Sequence, residues 1–121
     1  MKLEWIETID VNAKEWFDKK NGNSYFAGIV TLNYGKDTQR EYLMPMQYGY
    51  GSQYEYEAKY LLTEFNCISG AELSTLSSFC RDNNIILRTN KEENCRKRDL
   101  LQIHHDYDFN VQVSRKLKKE I

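Results

Sequence analysis

Between Ser24 and Met46 the residues leave little choice but a β-hairpin. Ser24 to Asn33 reads Ser-Tyr-Phe-Ala-Gly-Ile-Val-Thr-Leu-Asn, a run of β-branched and aromatic side chains that suit a pleated, half-buried surface. Tyr34-Gly35-Lys36-Asp37 has turn chemistry, and Gln39 to Met46 returns as a second strand that ends at Pro45.

The flanks are read against that hairpin. Leu3, Trp5, Ile9 and Val11 suggest a first strand. Asn12 would cap a short helix over Ala13–Lys20, closed by Asn21-Gly22-Asn23. Asn-Gly is also a hairpin signal, so a strand-turn-strand reading competes there. Ser52 and Glu55 form a capping box ahead of a helix running to about Phe65, with Tyr54, Ala58, Leu61, Leu62 and Phe65 on one stripe. Ser69 and Glu72 repeat the box before a helix with Leu73, Leu76, Phe79 and Cys80 as its stripe, ended by Asn83-Asn84. Ile85–Thr89 is expected as a strand, Asn90–Asn94 as a polar turn, and Cys95–His104 as the partner strand. Tyr107, Phe109, Val111 and Val113 alternate with Asp108, Asn110 and Gln112, which predicts a last half-buried strand before a frayed basic tail at Arg115–Ile121. There is no internal repeat and no linker. The expectation is one domain over residues 1–121, of α+β class: an antiparallel sheet of about four to six strands packed on two or three helices.

Composition narrows the class. A chain of 121 residues suits one core, and nine tyrosines with five phenylalanines provide enough apolar area to exclude disorder. No segment reaches the roughly 20 apolar residues that span a bilayer, and the acidic amphipathic start has no apolar run of the signal-peptide kind. The expectation is therefore a soluble chain in the cytoplasm, with no membrane partner. Cys67, Cys80 and Cys95 are odd in number and widely spaced, which points to free thiols. Residues 1–70 carry seven basic and ten acidic side chains and residues 71–121 carry ten and eight, so nothing draws the whole chain toward nucleic acid.

The most unusual stretch lies where the hairpin gives way to a helix. Gln47, Tyr48, Gly49, Tyr50, Gly51, Ser52 and Tyr54 belong to a segment with six tyrosines between Tyr42 and Tyr60. Glycines let backbone approach a partner closely, free amides at a helix start attract anions, and tyrosines give contact area with few rotatable bonds. These seven residues are the candidate binding site. The alternative is a strand-to-helix turn whose tyrosines cover the sheet. The lysine and longer glycine spacing of a phosphate loop are missing.

Other chemistry is thinner. His104, His105 and Asp106 invite a metal reading, with Cys95 joining, but adjacent residues on a strand face opposite ways and no paired-ligand spacing supports it. Cys95 with His104 is a conceivable nucleophile and base. Cys80 falls on an apolar stripe, and Glu55 with Glu57, or Glu92 with Glu93, sit where charges are solvated. The expectation is no catalytic residue, no metal and no cofactor. Arg88, Lys91, Arg96, Lys97 and Arg98 form an alternative phosphate-binding set, extended by Arg115, Lys116, Lys118 and Lys119. Interleaved Glu92, Glu93, Asp99, Asp106 and Asp108 give that region the look of an ordinary solvated face.

Three stretches carry a resemblance: Glu15-Trp16-Phe17-Asp18-Lys19-Lys20-Asn21-Gly22-Asn23-Ser24-Tyr25-Phe26, then Gln47-Tyr48-Gly49-Tyr50-Gly51-Ser52-Gln53-Tyr54-Glu55, then Cys95-Arg96-Lys97-Arg98-Asp99. Together they resemble small uncharacterised bacteriophage or prophage proteins. The resemblance implies an accessory protein that binds a host protein, including the inhibitors of host defence systems of the anti-CRISPR kind, and it carries over no catalytic residue. The functional expectation is a non-enzymatic binder acting through the tyrosine- and glycine-rich loop. The alternative is a nucleic-acid or nucleotide binder using the basic strand and a helix N-terminus.

Overall fold

The computed structural model describes residues 5–110, with side chains as far as Tyr107. In chain order the elements are β1 (Thr8–Asp18), β2 (Asn23–Leu32), β3 (Arg40–Tyr48), α1 (Gln53–Glu64), α2 (Leu76–Asp82), β4 (Ile86–Cys95) and α3 (Lys97–Asn110). The strands form one sheet in the order β3-β2-β1-β4. β1, β2 and β3 are an antiparallel meander, whereas β4 runs parallel to β1. The α+β class, four strands and three helices agree with the sequence reading, but the sheet is mixed. The reason is the route: a parallel partner needs a long crossover, and here α1 and α2 carry the chain from one sheet edge to the other.

Burial follows the alternation of the strands. Ile9, Val11 and Ala13 of β1 point the same way as Phe26, Val30 and Leu32 of β2 and Tyr42 and Met44 of β3. Against that face pack Tyr54, Ala58 and Leu62 of α1 and Leu76, Phe79 and Cys80 of α2, making the main core. Gly28 leaves room where β2 passes β1, because a Cβ there would collide with the Asn12 carbonyl oxygen. α3 packs across β1, β2 and β3 on the opposite face, where Leu100 and Ala27 are fully buried. The result is three layers, with the sheet in the middle.

Several local expectations are corrected. Ala13–Lys20 is not a helix: through Asp18 it is the second half of β1, paired residue by residue with β2. The competing turn reading is the one adopted, with Gly22 at φ 73 and its N–H donating to the Asp18 carbonyl at 2.7 Å. Cross-strand pairing outweighs a weak local helix preference. Asn90–Asn94 is strand rather than turn, and β4 continues to Cys95. Cys95–His104 is not a partner strand, and Tyr107–Asn110 is not strand either; from Lys97 onward both belong to α3. Leu100, Ile103, His104 and Tyr107 are spaced by three and four residues, a helical stripe that the Tyr107–Val113 alternation masked. Val111, Val113, the Arg115–Ile121 tail and Leu3 lie outside the described residues. Ser52 makes no side-chain cap. α2 begins at Leu76 on Thr75, whose hydroxyl accepts from the Ser78 N–H at 3.0 Å, and Leu73 is left outside the helix and fully exposed.

Charges pin the parallel pair. Arg88 lies opposite Asp10 and binds it through two hydrogen bonds, at 2.5 and 2.9 Å. Lys91 reaches Glu15 at 2.6 Å, and Lys14 lies opposite Glu92 at 4.0 Å. Of the interleaved acids noted in the sequence only Glu92 joins this cross-strand set; Glu93 pairs with Lys91 on its own strand, and Asp99, Asp106 and Asp108 lie on α3.

Candidate functional site

The expected site spans the corner where β3 ends and α1 begins, and the structure divides its seven residues. Gln47 is half-buried, its side-chain amide donating to the Pro45 carbonyl at 2.9 Å. Tyr48 is 60% exposed, standing edge-on to Tyr25 at 6.1 Å, and Tyr50 is 66% exposed. Gly49 is buried. Its N–H donates to the Ser24 carbonyl at 3.0 Å, and a Cβ there would lie 2.6 Å from the Phe26 ring. Gly51 has φ 63, the left-handed conformation for which glycine is suited, and its carbonyl accepts from Lys91 Nζ at 2.8 Å. Ser52 is exposed. Tyr54 belongs to the core, and burial pushes its phenol up from the ordinary value.

The corner is held at both ends. The Gln53 N–H donates to the Tyr50 carbonyl at 3.1 Å and the Glu55 N–H to the Ser52 carbonyl at 2.9 Å. Two amides of the helix start are therefore already bonded, which removes much of the appeal of an anion site there.

Sequence reasoning missed part of this surface. Tyr56 and Tyr60 are 46% and 60% exposed on α1, one turn apart and outside the buried stripe. Their i, i+4 spacing was the signal that could have found them. Lys59 lies between them, 4% exposed, with Nζ donating to the Ser74 carbonyl at 2.7 Å and 5.6 and 5.4 Å from the two rings. On the α3 face of the sheet Trp16 stacks on Tyr25 at 5.4 Å, Tyr48 is turned toward the same Tyr25 ring, away from Tyr56 and Tyr60, and Lys97 lies 5.8 Å above Trp16. Those ring faces are engaged with one another and with a cation, which leaves less of them for stacking on a base.

The five cations of the phosphate-binding alternative are not brought together. Arg88 is held by Asp10 on the α3 side of the sheet, whereas Lys91 faces α1 and is held by Glu15 and the Gly51 carbonyl. The Arg96 N–H donates to the Asp99 carboxylate at 2.8 Å at the start of α3, Lys97 lies over Trp16, and Arg98 is exposed.

The sulfur and imidazole groups are placed apart from one another in role. His104 Nε2 accepts from the Met46 N–H at 3.0 Å, and Asp106 accepts from Gln102 at 2.9 Å. Among the described residues no three His, Cys, Asp or Glu side chains converge as a metal site. All three cysteines are free thiols. The Cys67 thiol donates to the Tyr42 hydroxyl at 3.3 Å, and burial raises the Tyr42 phenol strongly. Burial pushes the Cys80 thiol up to about 11, and burial with the nearby Glu92 charge raises that of Cys95. These shifts run away from the thiolate that a nucleophile needs.

With Pro45 lacking an N–H and the Met46 N–H taken by His104, this end of the β3 edge resists the addition of another strand. Among the described residues no helix is long and apolar enough to cross a membrane. No family model matches the chain, nor does any curated protein or solved structure.

Proposed function

We propose that the chain is a small non-enzymatic accessory protein that binds another protein through the tyrosine-bearing corner between β3 and α1. One observation carries the reading. Tyr48, Tyr50, Tyr56 and Tyr60 keep between 46% and 66% of their surface exposed, on backbone whose path is secured at both ends. Tyrosines held in this way provide contact area without a large ordering cost. Glu55, Glu57 and Glu64 lie on the same helix and repel phosphate backbones, which favours a protein partner over nucleic acid. The resemblance to bacteriophage proteins implies a host protein in the host cytoplasm as that partner, and inhibition of a host defence system as the role.

Affinity capture from host lysate tests this, comparing the wild type with Tyr48→Ala/Tyr50→Ala and Tyr56→Ala/Tyr60→Ala by quantitative mass spectrometry. A partner retained by the wild type should fall about tenfold or more with the variants, at unchanged melting temperature. Retention of the same proteins by all three would overturn the assignment.

A further inference from the structure

The outer edge of β3 and the flank of α1 enclose an open groove of about 270 Å³. Its floor is apolar, from Met44, Pro45 and Leu61, and Tyr60 forms a wall. Glu57 and Glu64 flank it from α1, seven residues apart and therefore two turns along one face, roughly 10 Å in rise. Among the described residues neither carboxylate has a hydrogen-bond or ion-pair partner. Lys59, the cation of α1, is buried and tied to the Ser74 carbonyl, so it is not placed to neutralise them.

We infer that this groove takes a basic segment of the partner, seating one arginine side chain between Glu57 and Glu64. The inference rests on the protein-binding reading above and names the chemistry of its partner. Arginine fits better than lysine on three counts. Its methylenes match the apolar floor, its guanidinium packs flat on a tyrosine ring, and its forked donors satisfy a carboxylate bidentately. Nucleic acid is the wrong occupant, because its phosphates would meet two uncompensated carboxylates. Strand addition is also disfavoured beside Pro45 and the occupied Met46 N–H, so recognition here runs through side chains.

The test is an NMR titration of the full ¹⁵N-labelled chain with acetyl-Gly-Arg-Gly-amide and with its citrulline analogue, which keeps the shape and loses the charge. Arginine should give saturable shifts at the amides of Gln47, Glu57, Leu61 and Glu64. Citrulline should bind about tenfold or more weakly, as expected for a charge-assisted pair. Glu57→Gln/Glu64→Gln should abolish the arginine response, whereas Glu72→Gln/Asp82→Asn, which removes two exposed carboxylates outside the groove, should leave it intact. Absent or unsaturable shifts, equal binding of citrulline, or an unchanged response in the glutamine variant would each overturn the groove assignment. The lysate capture separates the two levels. Partner loss with the tyrosine variants but not with Glu57→Gln/Glu64→Gln defeats the groove and leaves the protein-binding reading standing. Retention by the tyrosine variants defeats that reading, whatever the peptide does.

Discussion

Asn33 is fully buried at φ 54, and its side chain ties three segments together. Oδ1 accepts from the N–H groups of Glu7 at 2.7 Å and Thr8 at 3.2 Å, while Nδ2 donates to the Trp5 carbonyl at 2.6 Å and to the Thr38 hydroxyl at 2.8 Å. Asn33→Ala removes all four bonds and places a Cβ residue without local hydrogen bonding in the left-handed region. The loss should be about 3 kcal/mol or more in urea denaturation, from unpaired buried groups plus backbone strain. Asn33→Gly relieves the strain alone and should fall between the two. Nothing in the sequence separated this asparagine from an ordinary strand end, because its partners come from positions more than twenty residues earlier and from the following turn. The tyrosines make a second comparison. Tyr54→Ala should cost about 3 kcal/mol or more, as large-to-small aromatic changes in a core do. Tyr48→Ala and Tyr50→Ala, being exposed, should stay within about 0.5 kcal/mol by the same denaturation measurement.

At the scale of elements, neither of the two four-residue capping patterns caps a helix as expected: Ser52 precedes α1 without a side-chain bond, and Ser69 to Glu72 lies ahead of α2, which starts only at Leu76. Thr75 caps α2 through its hydroxyl, whereas Ser52 sits at φ −91 and ψ 12, with its side chain uninvolved. Thr75→Ala should therefore lose about 1 kcal/mol and Ser52→Ala no more than a few tenths, read from thermal unfolding. The β2–β3 hairpin and the buried stripe of α1 were legible because local composition and periodicity agreed with the fold. The second half of β1 was not, because Ala13-Lys14-Glu15-Trp16-Phe17 becomes a strand only through pairing with β2. Nor was α3, whose start is set by Asp99 accepting from the Arg96 N–H and whose stripe shows only once Ile103 and His104 are counted with Leu100. The expected tyrosine corner was half legible: repeated tyrosines flagged the segment, but only the fold separates Tyr54, which is core, from Tyr48 and Tyr50.

For the molecule as a whole, the buried acids make stability depend on pH from the alkaline side. Cys80 is pushed up to about 11 from an ordinary value near 9.0, and Tyr42 is raised as well. A group whose folded value exceeds its unfolded one stabilises fully below the unfolded value and loses that contribution as pH rises through the folded one. Stability should therefore hold up to about pH 9 and fall toward pH 11, and Cys80→Ala should flatten that decline in denaturation curves taken across the range. The same molecule has one strand, β4, whose partner precedes it by some 78 positions, Asp10 opposite Arg88. During synthesis the β1–β2–β3 meander emerges first, and the outer side of β1 waits without a neighbour until α1 and α2 have been made. For that interval the nascent chain displays an open hydrogen-bonding edge. Asp10, Lys14 and Glu15, which later hold β4 in register, lie along it, and until then they act as gatekeepers against pairing with another copy.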